Sequence, residues 1–149
     1  MKRAVELARA SVRAGGGPFG CVIARDGAVV AEGSNRVTLA NDPTAHAEVV
    51  AIRAACAALG SFQLDGCTVY SSCEPCPMCL GAIYWSRPER LVFACTREDA
   101  AAIGFDDDLI YRELALPIAG RKLSTTQLLR EEGLAAFRDW SSSTQRREY

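Results

Sequence analysis

Five residues of this 149-residue chain have the types and spacing to do chemistry: His46, Glu48, Cys73, Cys76 and Cys79. His46 is the single histidine, and the three cysteines fall at three-residue intervals within SSCEPCPMCLGAIYW. Thiolate sulfur combined with imidazole nitrogen suits zinc. Cys76 and Cys79 lie one helical turn apart, so a helix starting there puts both sulfurs on one side. Its macrodipole favours the thiolate forms. His46, at the start of a second helix, would add one nitrogen. With Cys73 as a fourth ligand the site would be closed, a staple for the fold. A redox Cys-x-x-C pair and a cysteine-rich iron–sulfur site are further readings. An open site would leave one position to water, whose pKa zinc lowers to about 7. Glu48 favours the open site, because a carboxylate beside that position can move protons. Cys73 ends a strand, and Glu74-Pro75 imposes an extended bend after it, so its side chain need not face the metal. Positions i and i+2 do not share a helix face. His46 and Glu48 therefore converge only if the ion lies off the helix end.

The elements that must position these groups alternate along the chain. A helix over 2–14, with Val5, Ala8 and Val12 on one face, ends at Gly15-Gly16-Gly17. Strands follow at 19–25 and 28–33, joined by the hairpin signal Asp26-Gly27. After the loop SNRVTLANDP, Asp42 caps a helix with Pro43 at its first position. That helix runs to about Leu59 with a stripe of Val49, Ile52, Cys56 and Leu59, and Gly60 closes it. A strand at 67–72 leads into the helix PMCLGAIYWSR. A strand at 90–95 ends near a Thr-Arg-Glu-Asp helix start. Gly104 breaks the pattern before FDDDLIYREL, and TTQLLREEGLAAFRDW reads as a last helix, interrupted at Gly133. A hairpin followed by strand–helix–strand units predicts one three-layer α/β/α domain around a central mixed sheet.

Composition fits that reading. Hydrophobic residues make up 49% and charged residues 23%, ordinary for a globular domain. The net charge of −1 argues against a broad basic surface for duplex nucleic acid. Seven cysteines cannot all pair in disulfides, and their clustering suits metal better. Cys21, Cys56, Cys67 and Cys95 sit in apolar stretches and read as core thiols. Glu6, Arg9 and Arg13 interrupt any signal-peptide apolar region at the start. No run approaches the length of a membrane span.

HAE at 46–48 followed by PCPMC at 75–79 resembles the zinc-dependent cytidine-deaminase superfamily, whose established signature is H-x-E…P-C-x-x-C. GGGPFGCVI and NDPTAHAE are similar to its nucleobase and tRNA deaminase branch. EGSNRVT at 32–38, GFDDDLIYREL at 104–114 and the ending RREY are most similar to bacterial guanine deaminases. The resemblance runs from about residue 4 to the terminus. It implies one zinc per subunit held by His46, Cys76 and Cys79, with Glu48 as proton shuttle. It implies that Asn35 and Asp107 contact a purine base, although Asp106, Asp107 and Asp108 run together and the position could shift by one. It also implies a cytoplasmic homodimer in which the last helix and tail, about 125–149, cross to the partner and bring Tyr149 towards its site.

The implied reaction is hydrolysis of guanine at C2 to xanthine and ammonia. Phe19, after Gly-Pro at a loop-to-strand junction, is either a stacking platform for the base or a core residue. The rival enzyme reading is a tRNA adenosine deaminase, which calls for a basic surface. Cytosine or a nucleoside is another possible substrate. The non-enzymatic rival is a zinc-stapled interaction module.

Overall fold

In the computed structural model, which describes residues 1–149, Asp26 and Gly27 both take positive φ, 51° and 79°. That backbone matches the twist of a two-residue hairpin, and it joins β1 (Gly20–Arg25) to β2 (Ala28–Ser34). With β3 (Cys67–Cys73) and β4 (Arg90–Cys95) these strands form a sheet in the order β2-β1-β3-β4. β1 is antiparallel to both its neighbours, and β3 and β4 are parallel, so the sheet is mixed.

Two glycines on adjacent strands set the layers. A Cβ on Gly20 would strike α1 (Lys2–Arg13), at the Ala4 carbonyl and 2.6 Å from the Ala8 nitrogen. A Cβ on Gly33 would strike α3 (Ala47–Leu59), at the Ala47 carbonyl and 2.6 Å from the Ala51 nitrogen. Gly33 pairs with Cys21, the residue after Gly20. Successive side-chain positions point to opposite faces, so α1 and α3 cover opposite faces of the sheet. α4 (Pro77–Ser86) packs beside α3. The result is the expected three-layer α/β/α arrangement, with Ile23, Leu64, Cys67 and Val69 fully buried beneath α3.

The same close approach corrects the expected helix faces. α1 buries Ala4, Ala8 and Ser11, while Val5 and Val12 are exposed. α3 buries Ala47, Ala51 and Ala55, and Val49, Ile52, Cys56 and Leu59 are only half-buried. Where backbone meets backbone, small residues fit and branched ones do not. The start of α3 also differs from expectation. Asp42 accepts hydrogen bonds from the Thr44 nitrogen at 2.8 Å and hydroxyl at 2.7 Å, closing a local turn, and the helix begins only at Ala47. The preceding loop contains a short helix, α2 (Val37–Ala40). Cys95 is exposed and Cys56 half-buried, so only Cys21 and Cys67 are the core thiols expected. α5 (Arg97–Ala101) starts with a reciprocal cap between Thr96 and Asp99.

The chain divides into two compact units, Met1–Asp107 and Asp108–Tyr149. The first holds the sheet and all the elements above. The second contains α6 (Asp108–Ala115), a 3₁₀ turn at Ile118–Gly120 and α7 (Arg130–Ser142). α7 starts five residues later than the sequence suggests, after Leu129 in the left-handed region, and it runs through Gly133 without a break. No residue of the second unit is buried.

Candidate active site

His46 is the residue before α3, and Cys76 is the residue before α4. Both have extended backbone, with φ −69° and ψ 155° for His46 and φ −63° and ψ 168° for Cys76. Pro77 is pre-organised for the first position of α4. Cys79 lies one turn in. His46, being outside the helix, is freed from the helical spacing that would separate it from Glu48. His46 Nδ1 lies 3.5 Å from Cys76 Sγ and 3.4 Å from Cys79 Sγ. The three ligand atoms fall within 4.8 Å of one another.

This donor set fits zinc. Tetrahedral zinc with ordinary Zn–N and Zn–S bonds separates a nitrogen and a sulfur by about 3.5 Å. Cys73 takes no part: its Sγ donates to the Thr96 carbonyl oxygen at 3.4 Å. Burial, with the nearby Cys95, pushes the Cys73 thiol up to about 11, so it keeps its proton. Cys73 thus stands apart from the cluster, and the groups that could hold a metal ion are His46, Cys76 and Cys79.

The trio is already polarised. The Cys76 thiol is pulled down to about 4, chiefly by its hydrogen bond with Cys79 and further by His46, against burial. Cys79 is pushed far up by the same bond and by burial. His46 is raised, first by its hydrogen bond with Cys76, with burial opposing.

Glu48, in the first turn of α3, is buried at 4% exposure. Its Oε1 accepts a 2.7 Å hydrogen bond from the Ser71 hydroxyl. Ser71 was not anticipated. Its signal in the sequence is a hydroxyl within the inward-facing row Cys67, Val69, Ser71, which is otherwise apolar.

The remaining candidates in the first unit form a connected wall. Asn35 is buried at 6% exposure. Its Oδ1 accepts from the Gly17 and Val37 nitrogens, each at 3.3 Å, which leaves its NH₂ as the group it can offer. A Cβ on Gly17 would meet both the Asn35 amide and the Phe19 ring. Phe19 packs partly against the core, and Phe105 meets it edge-on at 4.9 Å and 88°. Phe105 is a second residue the sequence did not flag. Two residues on, Asp107 is raised by burial first and then by the Cys76 charge. Asp107 is also felt by His46. Asp107 thus lies near enough to Cys76 and His46 for their charges to be felt. Asp108 begins α6 and pairs with Arg112 at 2.6 Å. Tyr149 belongs to the second unit and is 65% exposed.

This geometry, three nitrogen and sulfur ligands with a buried carboxylate beside them, is that of a hydrolytic metal site. Residues 1–95 match the model of the cytidine and deoxycytidylate deaminase zinc-binding region, and the chain belongs to that family of zinc-dependent deaminases. It is 55% identical to guanine deaminase of Bacillus subtilis (strain 168) over 150 residues, covering 100% of this chain and 96% of that protein. The crystal structure of a Bacillus subtilis guanine deaminase superposes with a TM-score of 0.96, at 55% identity, over 99% of this chain and 95% of that one. A guanine deaminase structure from Nitrosomonas europaea gives a TM-score of 0.69 at 35% identity, over 95% of this chain and 82% of that one. The tRNA-specific adenosine deaminase of Bacillus subtilis (strain 168) is 41% identical, over 62% of this chain and 58% of that protein.

Proposed function

We propose that this chain converts guanine and water to xanthine and ammonia, acting as a cytoplasmic homodimer. The observation that carries the substrate reading is the likeness to guanine deaminase along the whole chain, including the stretch that holds Asp107. The tRNA deaminase likenesses cover between 58% and 72% of the chain. A net charge of −1 also gives little attraction to tRNA.

The wall residues suit a purine with both donors and acceptors on its edge. The Asn35 NH₂ donates to ring acceptors, and the Asp107 carboxylate accepts from neighbouring N–H groups. Phe19, braced by Phe105, offers a flat apolar face to the ring. A base lacking one of these groups leaves a buried partner unpaired, which is how such sites discriminate.

His46, Cys76 and Cys79 would hold the zinc, which when bound supplies Lewis-acid activation of water near neutral pH. Glu48 supplies the proton traffic. With Oε1 held by Ser71, its other oxygen takes one proton from the water and passes it to a ring nitrogen, then takes the second from the hydroxyl now on C2 and gives it to the departing amine. The water oxygen joins C2, the C2–N bond breaks, and ammonia leaves.

The homodimer reading rests on exposed apolar surface. Leu123, Leu128 and Phe137 of the second unit are 77%, 79% and 70% exposed, and large exposed apolar patches mark interfaces. A second copy covering them would let Tyr149 reach a neighbouring site. Sedimentation equilibrium checks the dimer. Deleting Tyr149 should impair turnover and leave zinc content intact.

The decisive test follows ammonia release by purified protein given guanine, guanosine, cytosine, cytidine, adenine or tRNA. Turnover of guanine alone is the expected result. Inert guanine, or preferred deamination of tRNA, would overturn the reading.

A further inference from the structure

We infer that Ser71 is a positioning residue for the deamination: its hydroxyl locks one oxygen of Glu48, so that the other is presented to the reacting atoms. The inference rests on the deaminase reading above.

Strand β3 sends Cys67, Val69 and Ser71 to the face covered by α3. Cys67 and Val69 continue the core there. Ser71 comes level with the first turn of α3, where Glu48 enters. Both side chains are buried, Ser71 at 1% exposure and Glu48 at 4%. Their 2.7 Å contact is a short bond to a charged acceptor, a class about twice as strong as a neutral pair.

The direction of that bond is also set. The Cys73 backbone N–H donates to Ser71 Oγ at 3.5 Å, occupying the oxygen and turning the hydroxyl proton towards Glu48. Other donors are poor substitutes. Cys21 faces Ser71 across the β1–β3 pair, but a buried thiol is a weak donor. The Cys79 thiol also hydrogen-bonds Glu48, yet as a zinc ligand it is a thiolate with no proton to give. Ser71 is therefore the group that holds Glu48 through the reaction. A carboxylate free to rotate would offer either oxygen, and misplacement of this kind lowers turnover without touching substrate affinity.

The rival account is structural: Ser71 merely satisfies a buried carboxylate so that the chain folds. Three variants of the zinc-loaded protein separate the two. Ser71→Ala should lower kcat by roughly 10- to 100-fold, the usual cost of losing a partner that orients an active-site group. KM should stay within about threefold, with full zinc content. Ser71→Thr and Ser71→Val have the same shape and differ in the hydroxyl alone. Thr should retain kcat, and Val should lose it as Ala does. Infrared spectra of the zinc-free protein give a readout independent of turnover. The carboxylate band that Glu48→Gln removes should shift in Ser71→Ala and hold its place in Ser71→Thr.

Unchanged kcat in Ser71→Ala overturns the inference, as does equal loss in Ser71→Thr and Ser71→Val. A fall in stability or zinc content without a kcat difference between folded variants also overturns it. Wild-type protein that releases no ammonia from guanine would fault the function and not this residue, because the infrared shift would still report the Ser71–Glu48 bond.

Discussion

Replacing Gly33 with alanine should damage both stability and catalysis, because Gly33 is where β2 touches the helix carrying Glu48. The added Cβ would lie 2.6 Å from the Ala51 nitrogen and 3.0 Å from the Ala51 Cβ, against about 3.4 Å for ordinary contact. The Ala47 carbonyl is closer still. These neighbours are helix backbone, so relief requires moving α3 by about 1 Å, not turning a side chain. Overpacking of this sort costs about 1–3 kcal/mol, and rigid neighbours put it near the upper end. In a domain of this size that lowers the melting temperature by roughly 10 °C. The displaced segment carries Glu48 and follows His46, and a 1 Å error in such groups costs up to about 100-fold in rate. Thermal melts and steady-state kinetics well below the transition measure the two effects. Gly133→Ala is the control: no atom lies within 4 Å of its added Cβ, so this helical glycine should gain about 0.5–1 kcal/mol or stay neutral. A Gly33→Ala protein that melts and turns over like the parent would refute the claim that backbone contact sets the position of α3.

Other outcomes are equally specific. Glu48→Gln should retain zinc and fold, since an amide oxygen can still accept from Ser71, but lose about 10²- to 10⁴-fold in kcat; parental turnover would end its role as proton carrier. Zinc loading should release protons, because Cys79 is held as a thiol while Cys76 ionises at about 4. Apparent zinc affinity should then rise by about ten- to a hundredfold per pH unit near neutrality, where the Cys79 proton and that of His46, held above the usual imidazole value, are both displaced; chelator competition showing no pH dependence would contradict this. Asp107→Asn should lower kcat/KM by roughly 10- to 100-fold through a lost charged hydrogen bond. Asp106→Asn and Asp108→Asn should change it little, and an equal loss at Asp106 would move the purine contact there.

The chemistry of the site was legible wherever residue type alone decides it. His46, Cys76 and Cys79 point to a metal by their donor atoms, and the structure brings them together with Glu48 buried in the first turn of α3. The Asp26-Gly27 hairpin was readable for a similar reason, since both residues tolerate the positive φ that the turn needs. Errors arose where the answer depends on what lies across the fold. Val5, Val12 and Val49 look like core positions by periodicity, but Gly20 and Gly33 bring the sheet backbone so near that only Ala4, Ala8, Ala47 and Ala51 fit. Asp42 looks like a helix cap, but its carboxylate is engaged by Thr44. Ser71 and Phe105 are ordinary residues in the sequence, and strand register and a loop that folds back give them their partners.

The last buried residue of the chain is Ser86, and the groups that would hold the metal and carry the proton all precede it. The contacts proposed for the base lie partly later, at Asp107, with Phe105 bracing Phe19 at the edge of the core. A lineage can therefore inherit the reactive half intact and exchange its taste for substrate by redrafting the remainder, as relatives named for different substrates that align over only part of this chain suggest.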